Sequence, residues 1–128
     1  MIAYRDVGRF DTKSAKIGLN WIAENQNLDG GWGGSRTGES AISSVEETSL
    51  CTEVLIDACQ TKTETDTDFL KSANRGVDWL CDTVEANSID RVTPIGFYFA
   101  KLWYHEKLYP LIFATSALGR ATNAEQFE

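Results

Sequence analysis

The sequence predicts an all-α protein, and two observations support this prediction. Apolar residues recur at helical spacing in several long segments, and no segment alternates apolar and polar residues as a half-buried strand does. The composition, 42% hydrophobic and 24% charged, is typical of a folded chain. At 128 residues the chain has the length of one domain, so we expect residues 1–128 to form a single domain with four or five helices.

The first predicted helix covers residues 12–25. One of its faces carries, at helical spacing, Gly18, Trp21, Ile22 and Asn25. A glycine-rich loop follows this helix, from Gln26 to about Ser43. Its run GGWGGSRTG fits neither phosphate-binding glycine pattern and follows no strand, so we do not expect it to bind phosphate.

The second predicted helix begins with two overlapping capping boxes, Ser44 with Glu47 and Ser43 with Glu46. Its apolar stripe then consists of Cys51, Val54, Leu55, Ala58 and Cys59. These boxes explain both glutamates as helix-start residues, although a catalytic role for either remains an alternative.

A polar loop over residues 61–68 separates this helix from a third one. The third stripe consists of Phe69, Leu70, Ala73, Val77, Leu80, Cys81 and Val84. The last segment, residues 97–121, is the most apolar and aromatic, and its helical period includes Tyr104 and Leu108. Because Pro110 lies inside that period, we expect a kink there or two helices meeting.

Charge and cysteine content exclude several classes of function. The net charge of −7 and the isoelectric point near 4.7 argue against nucleic-acid binding, which requires a basic surface. We expect no transmembrane segment, because no apolar run approaches the ~20 residues that span a bilayer, and the chain opens with no signal peptide. Three cysteines without a CxxC pair predict reduced, buried thiols and a cytoplasmic protein.

Few residues suggest a metal or acid–base site. Asp66 and Asp68 could supply paired carboxylates, but they stand where acidic side chains cap a helix. His105 is the only histidine and has no cysteine or aspartate at ligand spacing. We therefore predict no metal site and no cofactor.

Aromatic residues are concentrated near the C-terminus: Phe97, Tyr98, Phe99, Trp103, Tyr104, Tyr109 and Phe113. They could form ordinary core packing. Because they occupy two helical faces at once, two alternatives stay open. They could line a cavity where ring faces stabilise positive charge, or form an interface with further helices.

In residues 18–32, GLNWIAENQNLDGGW, an aromatic helix is followed by glutamine, a short spacer and Gly-Gly-Trp. This segment resembles the QW motif of the squalene-hopene cyclases and related triterpene cyclases. Here the motif residues are Gln26, Gly30, Gly31 and Trp32, and we expect Gln26 to bond free backbone groups at a helix end while Trp32 stacks over it and ties neighbouring helices together. Residues 94–121 resemble the last helix of those enzymes, and residues 75–80 stand where another QW repeat would begin.

The resemblance implies an α/α toroid, a ring of helix pairs, of which this chain is the C-terminal part. It also implies an isomerase-type terpene cyclase that protonates a linear isoprenoid and folds it into rings through carbocations. Carried over by position, Phe97 and Tyr109 are substrate-cavity residues, while Trp103 and Phe113 match packing positions. The resemblance implies no metal and no cofactor.

Three departures from the family pattern limit what the chain can do alone. The DxDD acid is absent, since Asp66-Thr67-Asp68-Phe69 lacks the last aspartate and lies in another region. The second repeat carries neither glutamine nor Gly-Gly-Trp, and Leu102 replaces a common cavity phenylalanine. We therefore expect the isolated chain not to be catalytic.

Two alternatives follow from these departures. The chain could be a non-catalytic lipid-binding or protein-interaction module derived from the toroid. It could also be a relative of the protein-prenyltransferase β subunits, with His105 near their zinc histidine but without their Asp-x-Cys ligands. A peripheral contact with a membrane would suit a lipid substrate, although no basic amphipathic helix is present.

The number of helices predicts incomplete packing. A closed toroid needs many more helices than four or five, so this chain makes about a third of a ring. We expect apolar faces at both ends of the arc, covered by the remaining toroid helices or by self-association.

Overall fold

A computed structural model describes residues 1–34, 42–61, 67–97 and 102–124. These residues form five helices and two short strands: α1 (Ile2–Asp6), α2 (Lys13–Glu24), α3 (Val45–Thr61), α4 (Thr67–Glu85), β1 (Ile95–Phe97), β2 (Leu102–Tyr104) and α5 (Tyr109–Thr122). The all-α prediction is confirmed, since helices make up nearly all of the regular structure described. The departure is one small antiparallel ribbon, in which Ile95 pairs with Tyr104 and Phe97 with Leu102.

Helix α2 begins where the sequence predicts it. Thr12 is its N-cap, and the Thr12 hydroxyl accepts a hydrogen bond from the Ala15 backbone N–H at 3.3 Å. The buried face, however, consists of Ala15, Leu19 and Ile22, at i, i+4 and i+7. Trp21 was predicted on that face and is instead 61% exposed, because it lies about 100° around the helix from Ile22.

Helix α3 begins with one of its two predicted capping boxes. The Glu47 backbone N–H donates to the Ser44 hydroxyl at 3.2 Å, and that hydroxyl donates to the Glu47 carboxylate at 2.8 Å. The second box, Ser43 with Glu46, is not formed, because the Ser43 hydroxyl bonds to Asn27 and Asp29 instead. The Ser44 bonds fix the start of the helix around which the others assemble.

Helix α3 is the centre of the fold, and α1, α2, α4 and α5 all pack against it. Helix α4 runs antiparallel to it, since Gly76 lies against Thr52 while Leu80 joins Val45 in one apolar cluster. Helix α5 runs parallel to it, because Ala114 and Ala117 join the same cluster as Val45, whereas Arg120 reaches residues two to three turns farther along α3. A single helix therefore organises both apolar clusters.

The predicted helix through Tyr104 and Leu108 is wrong. Leu102–Tyr104 is strand β2, and α5 begins only at Tyr109, with Pro110 in its first turn. Proline is tolerated there because the first N–H groups of a helix have no helical partner, so Pro110 starts the helix rather than kinking it. In the parts of the chain that the structure describes, no helix is both long and apolar enough to cross a membrane.

Candidate functional site

The loop that carries the predicted QW motif, from Gln26 to Trp32, is docked on α4 and is called the docked loop below. The Gln26 side-chain amide donates to the Gly30 carbonyl at 2.7 Å and to the Ser72 carbonyl at 2.8 Å. Ser72 lies within α4 and not at its end, so the prediction that Gln26 bonds free backbone groups at a helix end is wrong. A carbonyl has two lone pairs, which lets Ser72 accept this bond besides a helical one.

Trp32 provides the helix-end contact that was expected of Gln26. Its indole N–H donates to the Ile22 carbonyl at 2.8 Å, and Ile22 is among the last four residues of α2, whose carbonyls lack helical partners. The Trp32 backbone N–H donates to the Thr48 hydroxyl of α3 at 2.9 Å. Trp32 is only 4% exposed, and it ties α2 to α3 as anticipated.

The two glycines of the loop are required by different constraints. Gly30 has a φ of +96°, and a Cβ there would lie 2.9 Å from the Arg75 carbonyl oxygen. Gly31 has ordinary backbone geometry, but a Cβ there would lie 2.5 Å from Ser43 Cβ and 2.9 Å from Thr48 Oγ1. A side chain at either position would push the loop off the helices.

Residues 75–80 hold this loop from the side of α4. Arg75 donates to Gln26 Oε1 at 3.2 Å and to the carbonyls of Asn27 and Leu28 at 3.0 Å each. The Trp79 indole N–H donates to the Asp29 carboxylate at 3.1 Å. Residues 75–80, which were predicted to be the start of a second repeat, therefore supply part of the surface on which this loop docks.

The second group of predicted residues lies at the start of α5. Tyr109 is the first residue of the helix and is half-buried, with its ring centroid 5.2 Å from that of Phe113 at a tilt of 43°. Tyr104 shares a side-chain hydrogen bond with Tyr109, and partial burial together with this neighbour raises the pKa of Tyr104. The backbone of Phe97 lies in β1, but its side chain is outside the described residues, as are those of Trp103, Tyr98 and Phe99.

Exposed aliphatic side chains occur in the same first turns of α5 as this aromatic pair. Leu108 is 59% exposed, and Leu111 and Ile112 are also exposed on the first turn of α5. A second exposed apolar pair, Ile17 and Trp21, lies on α2. The first of these surfaces, formed by Tyr104, Leu108, Tyr109, Ile112 and Phe113, is called the α5 aromatic surface below.

A four-residue charge network on α3 was not predicted from the sequence. Arg5 forms ion pairs with Glu53 and, at 3.2 Å, with Asp57. Arg120 lies 3.0 Å from each of the same two carboxylates. Burial disfavours the charge on Arg5, but its bonds to Asp6 and Glu53 outweigh that effect and raise its pKa. The available signal was two acids at i and i+4 inside the otherwise apolar stretch of α3.

The acidic residues weighed as catalytic candidates fall into separate environments. Glu47 caps α3, and it also accepts a hydrogen bond from the Gly34 backbone N–H at 3.1 Å. Asp68 is exposed in the first turn of α4, and Asp66 is outside the described residues. Glu46 differs from them, because its side chain is buried and accepts a hydrogen bond from the Thr93 backbone N–H at 3.1 Å.

The cysteines and the histidine do not assemble into a metal site among the described residues. No group of three or more His, Cys, Asp or Glu side chains there could hold an ion. Cys59 is buried, Cys51 is half-buried and Cys81 is exposed, so the expectation of three buried thiols is wrong for Cys81. Burial, with Glu47 nearby, raises the pKa of Cys51 to about 12.

No protein-family model, curated protein or solved structure matches this chain.

Proposed function

We propose that this chain is the C-terminal arc of a squalene-hopene-cyclase-like α/α toroid, and that it forms part of the wall of an isoprenoid-binding cavity. The observation that carries the proposal is the α5 aromatic surface. There Tyr109 packs on Phe113, is hydrogen-bonded by Tyr104 and is flanked by exposed Leu108 and Ile112. Aliphatic groups suit a hydrocarbon chain, and aromatic ring faces stabilise positive charge as it develops.

The docked loop supports the family part of this proposal. Gln26 and Trp32 occupy the motif positions of the resemblance, and their side chains join α2 and α4 to the loop by hydrogen bonds to backbone carbonyls. Such bonds do not depend on which side chains the neighbouring helices carry. A motif of this kind can therefore recur at successive helix pairs of a ring whose sequences differ.

Two exposed apolar surfaces support the proposal that the chain is only an arc of a larger ring. Ile17 and Trp21 are exposed on α2, and the α5 aromatic surface is exposed on a different helix. Further toroid helices would cover part of these surfaces, since a large exposed apolar patch marks a contact or a binding site. In this proposal the substrate is a linear, squalene-like isoprenoid, and a peripheral membrane contact would deliver it.

The reaction itself would require residues beyond these 128. Protonation-initiated cyclisation needs a strong acid next to a carbon–carbon double bond, and the sequence contains no DxDD motif. The role proposed for Tyr109 and Phe97 is to shape the cavity and to stabilise cations after protonation. No metal or cofactor enters this chemistry.

A binding measurement tests the wall assignment on the chain itself. We expect a C15 prenyl alcohol to bind the 128-residue chain, measured by quenching of intrinsic fluorescence, and Tyr109→Ala to weaken binding about tenfold. Trp21→Ala is the matched control, because it removes an exposed aromatic side chain from the other apolar surface. Equal binding by both variants would contradict the assignment of Tyr109.

An activity measurement tests the cyclase assignment on the native gene product. Its intact mass shows whether these residues belong to a longer polypeptide, and its sequence shows whether a DxDD motif is present. We expect that polypeptide to cyclise squalene and Phe97→Ala and Tyr109→Ala to change rate or product ratios. Unchanged cyclisation in both variants would remove the wall assignment.

The second candidate function, a non-catalytic interaction module, is favoured by the exposure of Leu108, Leu111 and Ile112. These side chains are as well suited to a protein partner as to a lipid chain. A native product of about 14 kDa that binds no prenyl alcohol would favour the module over the cyclase.

A further inference from the structure

We propose that the exposed face of α5 is a contact between two copies of this chain, in which the two α5 helices pack antiparallel about Thr115. This inference does not depend on the isoprenoid site. It is based on the spacing, the polarity and the size of the residues that α5 and its N-cap leave exposed. These residues, called the outer stripe below, are Leu108, Ile112, Thr115, Gly119 and Thr122.

The outer stripe has the spacing of a helix-packing face. Helix α5 packs on α3, and its buried residues follow one another at steps of four, three and four positions: Pro110, Ala114, Ala117 and Ala121. The outer stripe repeats this alternation of four and three, and all of its residues are exposed. Because a helix has about 3.6 residues per turn, each set forms one line along α5, and the two lines lie on opposite sides. Steps of three and four are the spacing with which one helix packs along another, so the outer line has the pattern for a second helix.

Burial of the outer stripe would leave none of its side-chain polar groups without a hydrogen bond. The Thr115 hydroxyl donates to the Leu111 carbonyl at 2.7 Å. The Thr122 hydroxyl donates to the Gly119 carbonyl at 3.0 Å. Both hydroxyls are bonded within the helix, so the methyl groups of the two threonines remain for an apolar contact. Because desolvation is costly for polar groups that lose water and gain no partner, this face can exclude water at little cost.

The lack of charge on the outer stripe favours a second copy over an oppositely charged partner. Residues 108–119 contain no charged side chain, although 24% of the residues of the chain are charged. A basic partner would be attracted by acidic side chains, and the outer stripe contains none. Two copies that each carry a net charge of −7 repel one another, so their close approach requires an uncharged face. The outer stripe meets this requirement.

The sizes of the side chains determine the orientation of the two helices. The large residues, Leu108 and Ile112, lie in the first half of the stripe, whereas no described atom lies within 4 Å of a Cβ position at Gly119 in the second half. Antiparallel packing about Thr115 places Ile112 over Gly119 of the other copy. It likewise places Leu108 over Thr122 of the other copy, so that a large residue meets a small one along the whole contact. Parallel packing would oppose large residues to each other and leave a gap between the glycines, whereas the antiparallel pair has the self-complementary geometry of a twofold dimer.

The contact area predicts a weak dimer. Helix α5 has 14 residues, so it is about 21 Å long and, with its side chains, about 10 Å wide. A contact of that size is well below the ~1,200 Å² that stable specific interfaces bury, and we expect a dissociation constant of about 100 μM. Leu108 and Ile112 also belong to the α5 aromatic surface, but Tyr109 and Phe113 lie between the two lines of α5, at the edge of the contact.

Analytical ultracentrifugation of the 128-residue chain over a range of concentrations tests the contact. We expect Ile112→Glu to raise the dissociation constant at least about tenfold, because it places a charge from each copy in the contact. Ile17→Glu is the matched control, since it introduces the same charge at an isoleucine of α2 that is 60% exposed, against 54% for Ile112, and should leave the dimer unchanged. Equal weakening by both variants would overturn the proposal. A chain that stays monomeric up to about 1 mM would also overturn it, and would leave the outer stripe to a lipid chain or to a helix of a longer polypeptide.

Gly119→Leu distinguishes the proposed fit from unspecific apolar association. The substitution adds apolar surface at an open helical position, so it should not destabilise the fold. If Ile112 packs over Gly119 of the other copy, the larger side chain should weaken the dimer about tenfold. A tighter dimer of Gly119→Leu would indicate unspecific association and would overturn the proposed packing.

Cross-linking tests the orientation, in a Cys81→Ser background that removes the exposed native thiol. One chain carries Leu108→Cys and the other Thr122→Cys, and a short bifunctional maleimide joins thiols that lie close together. With equal amounts of the two chains, antiparallel packing predicts that well over half of the cross-linked products are mixed. A majority of like products would indicate parallel packing and overturn the antiparallel arrangement.

Discussion

The docked loop and the α5 aromatic surface both contain aromatic residues, yet they differ in how far those residues are buried and hydrogen-bonded. Trp32 is buried, and both its indole N–H and its backbone N–H are hydrogen-bonded. Tyr109 is half-buried and flanked by leucine and isoleucine side chains that contact solvent. A region whose polar groups are hydrogen-bonded and whose apolar groups are buried stabilises the fold. A region that leaves apolar surface exposed to solvent is available to a ligand or a partner.

The largest expected effect lies in the docked loop. Trp32→Ala should destabilise the chain by about 3–5 kcal/mol, because it removes a buried ring and leaves the Ile22 carbonyl without its partner. Denaturant unfolding measures this loss. Trp21→Ala, at an exposed position, should stay within about 0.5 kcal/mol of the wild type. Similar losses in both variants would remove the distinction between the two regions.

The charge network should show the second largest effect. Arg5→Leu leaves Glu53 and Asp57 with only Arg120, and because Arg5 is itself partly exposed we expect a loss of about 2–3 kcal/mol. The double variant Arg5→Leu with Glu53→Leu should recover part of it, since it restores the charge balance. Arg9→Leu is the control, because its pair with Asp11 is exposed and should contribute almost nothing. No recovery in the double variant would indicate that packing of α1, and not charge, is responsible.

Two glycines inside helices allow the same substitution to be compared at a closely packed and an open position, with smaller expected effects. A Cβ at Gly76 would collide with Thr52 Oγ1 and lie 2.9 Å from Trp32 Cζ3, so Gly76→Ala should destabilise by about 1–3 kcal/mol. Gly119 lies in α5 with nothing within 4 Å of its position for a Cβ, so Gly119→Ala should stabilise by up to ~1 kcal/mol through helix propensity. The same change in unfolding free energy for both would mean that close packing of the loop on α4 does not matter.

These regions also show how far the sequence was informative. The stripe of α3, the first part of the α4 stripe and the Ser44–Glu47 cap depend on residues a few positions apart, and local patterns predicted them. On α2 the pattern predicted the helix but not its buried face, since only Ile22 of the predicted face is buried. Partners far apart in sequence were missed, since the residues that pair with Asp57 lie 52 and 63 positions away. No local rule selects Arg5 and Arg120 from the other arginines.

The β-ribbon was missed for a different reason. Its strands are three residues long, too short for alternation to stand out from the helical period of the same aromatic residues. The signal that could have found it is Pro110, which is better suited to the first turn of a helix than to its interior. The unpartnered oxygen of Glu46 was beyond prediction, because both glutamates fit capping boxes and only the structure distinguishes them.

The smallest predicted effect concerns the thiols and alkaline pH. The pKa of Cys51 is raised to about 12 in the folded chain, against 9.0 for an unperturbed thiol, so the folded state holds its proton where the unfolded state has released it. Stability should therefore fall as pH rises above about 9, by about 1 kcal/mol at pH 10 from this group alone. Cys51→Ala should reduce this dependence, measured as unfolding free energy at pH 8 and pH 10. If the unfolding free energies of the wild type and Cys51→Ala depended equally on pH, the raised pKa of Cys51 would be contradicted.

Thiol labelling separates Cys51 from its neighbours in the same protein. Burial and then the carboxylates of Asp78, Glu85 and Asp82 also raise the pKa of Cys81, but that side chain is exposed. At pH 8 we expect an alkylating reagent to modify Cys81 first and to reach Cys51 and Cys59 only after unfolding, because reactivity requires both a thiolate and access to it. Rapid labelling of Cys51 in the folded chain would mean that α3 opens locally beside the Ser44 cap, and the docked loop would then be less rigid than its hydrogen bonds imply.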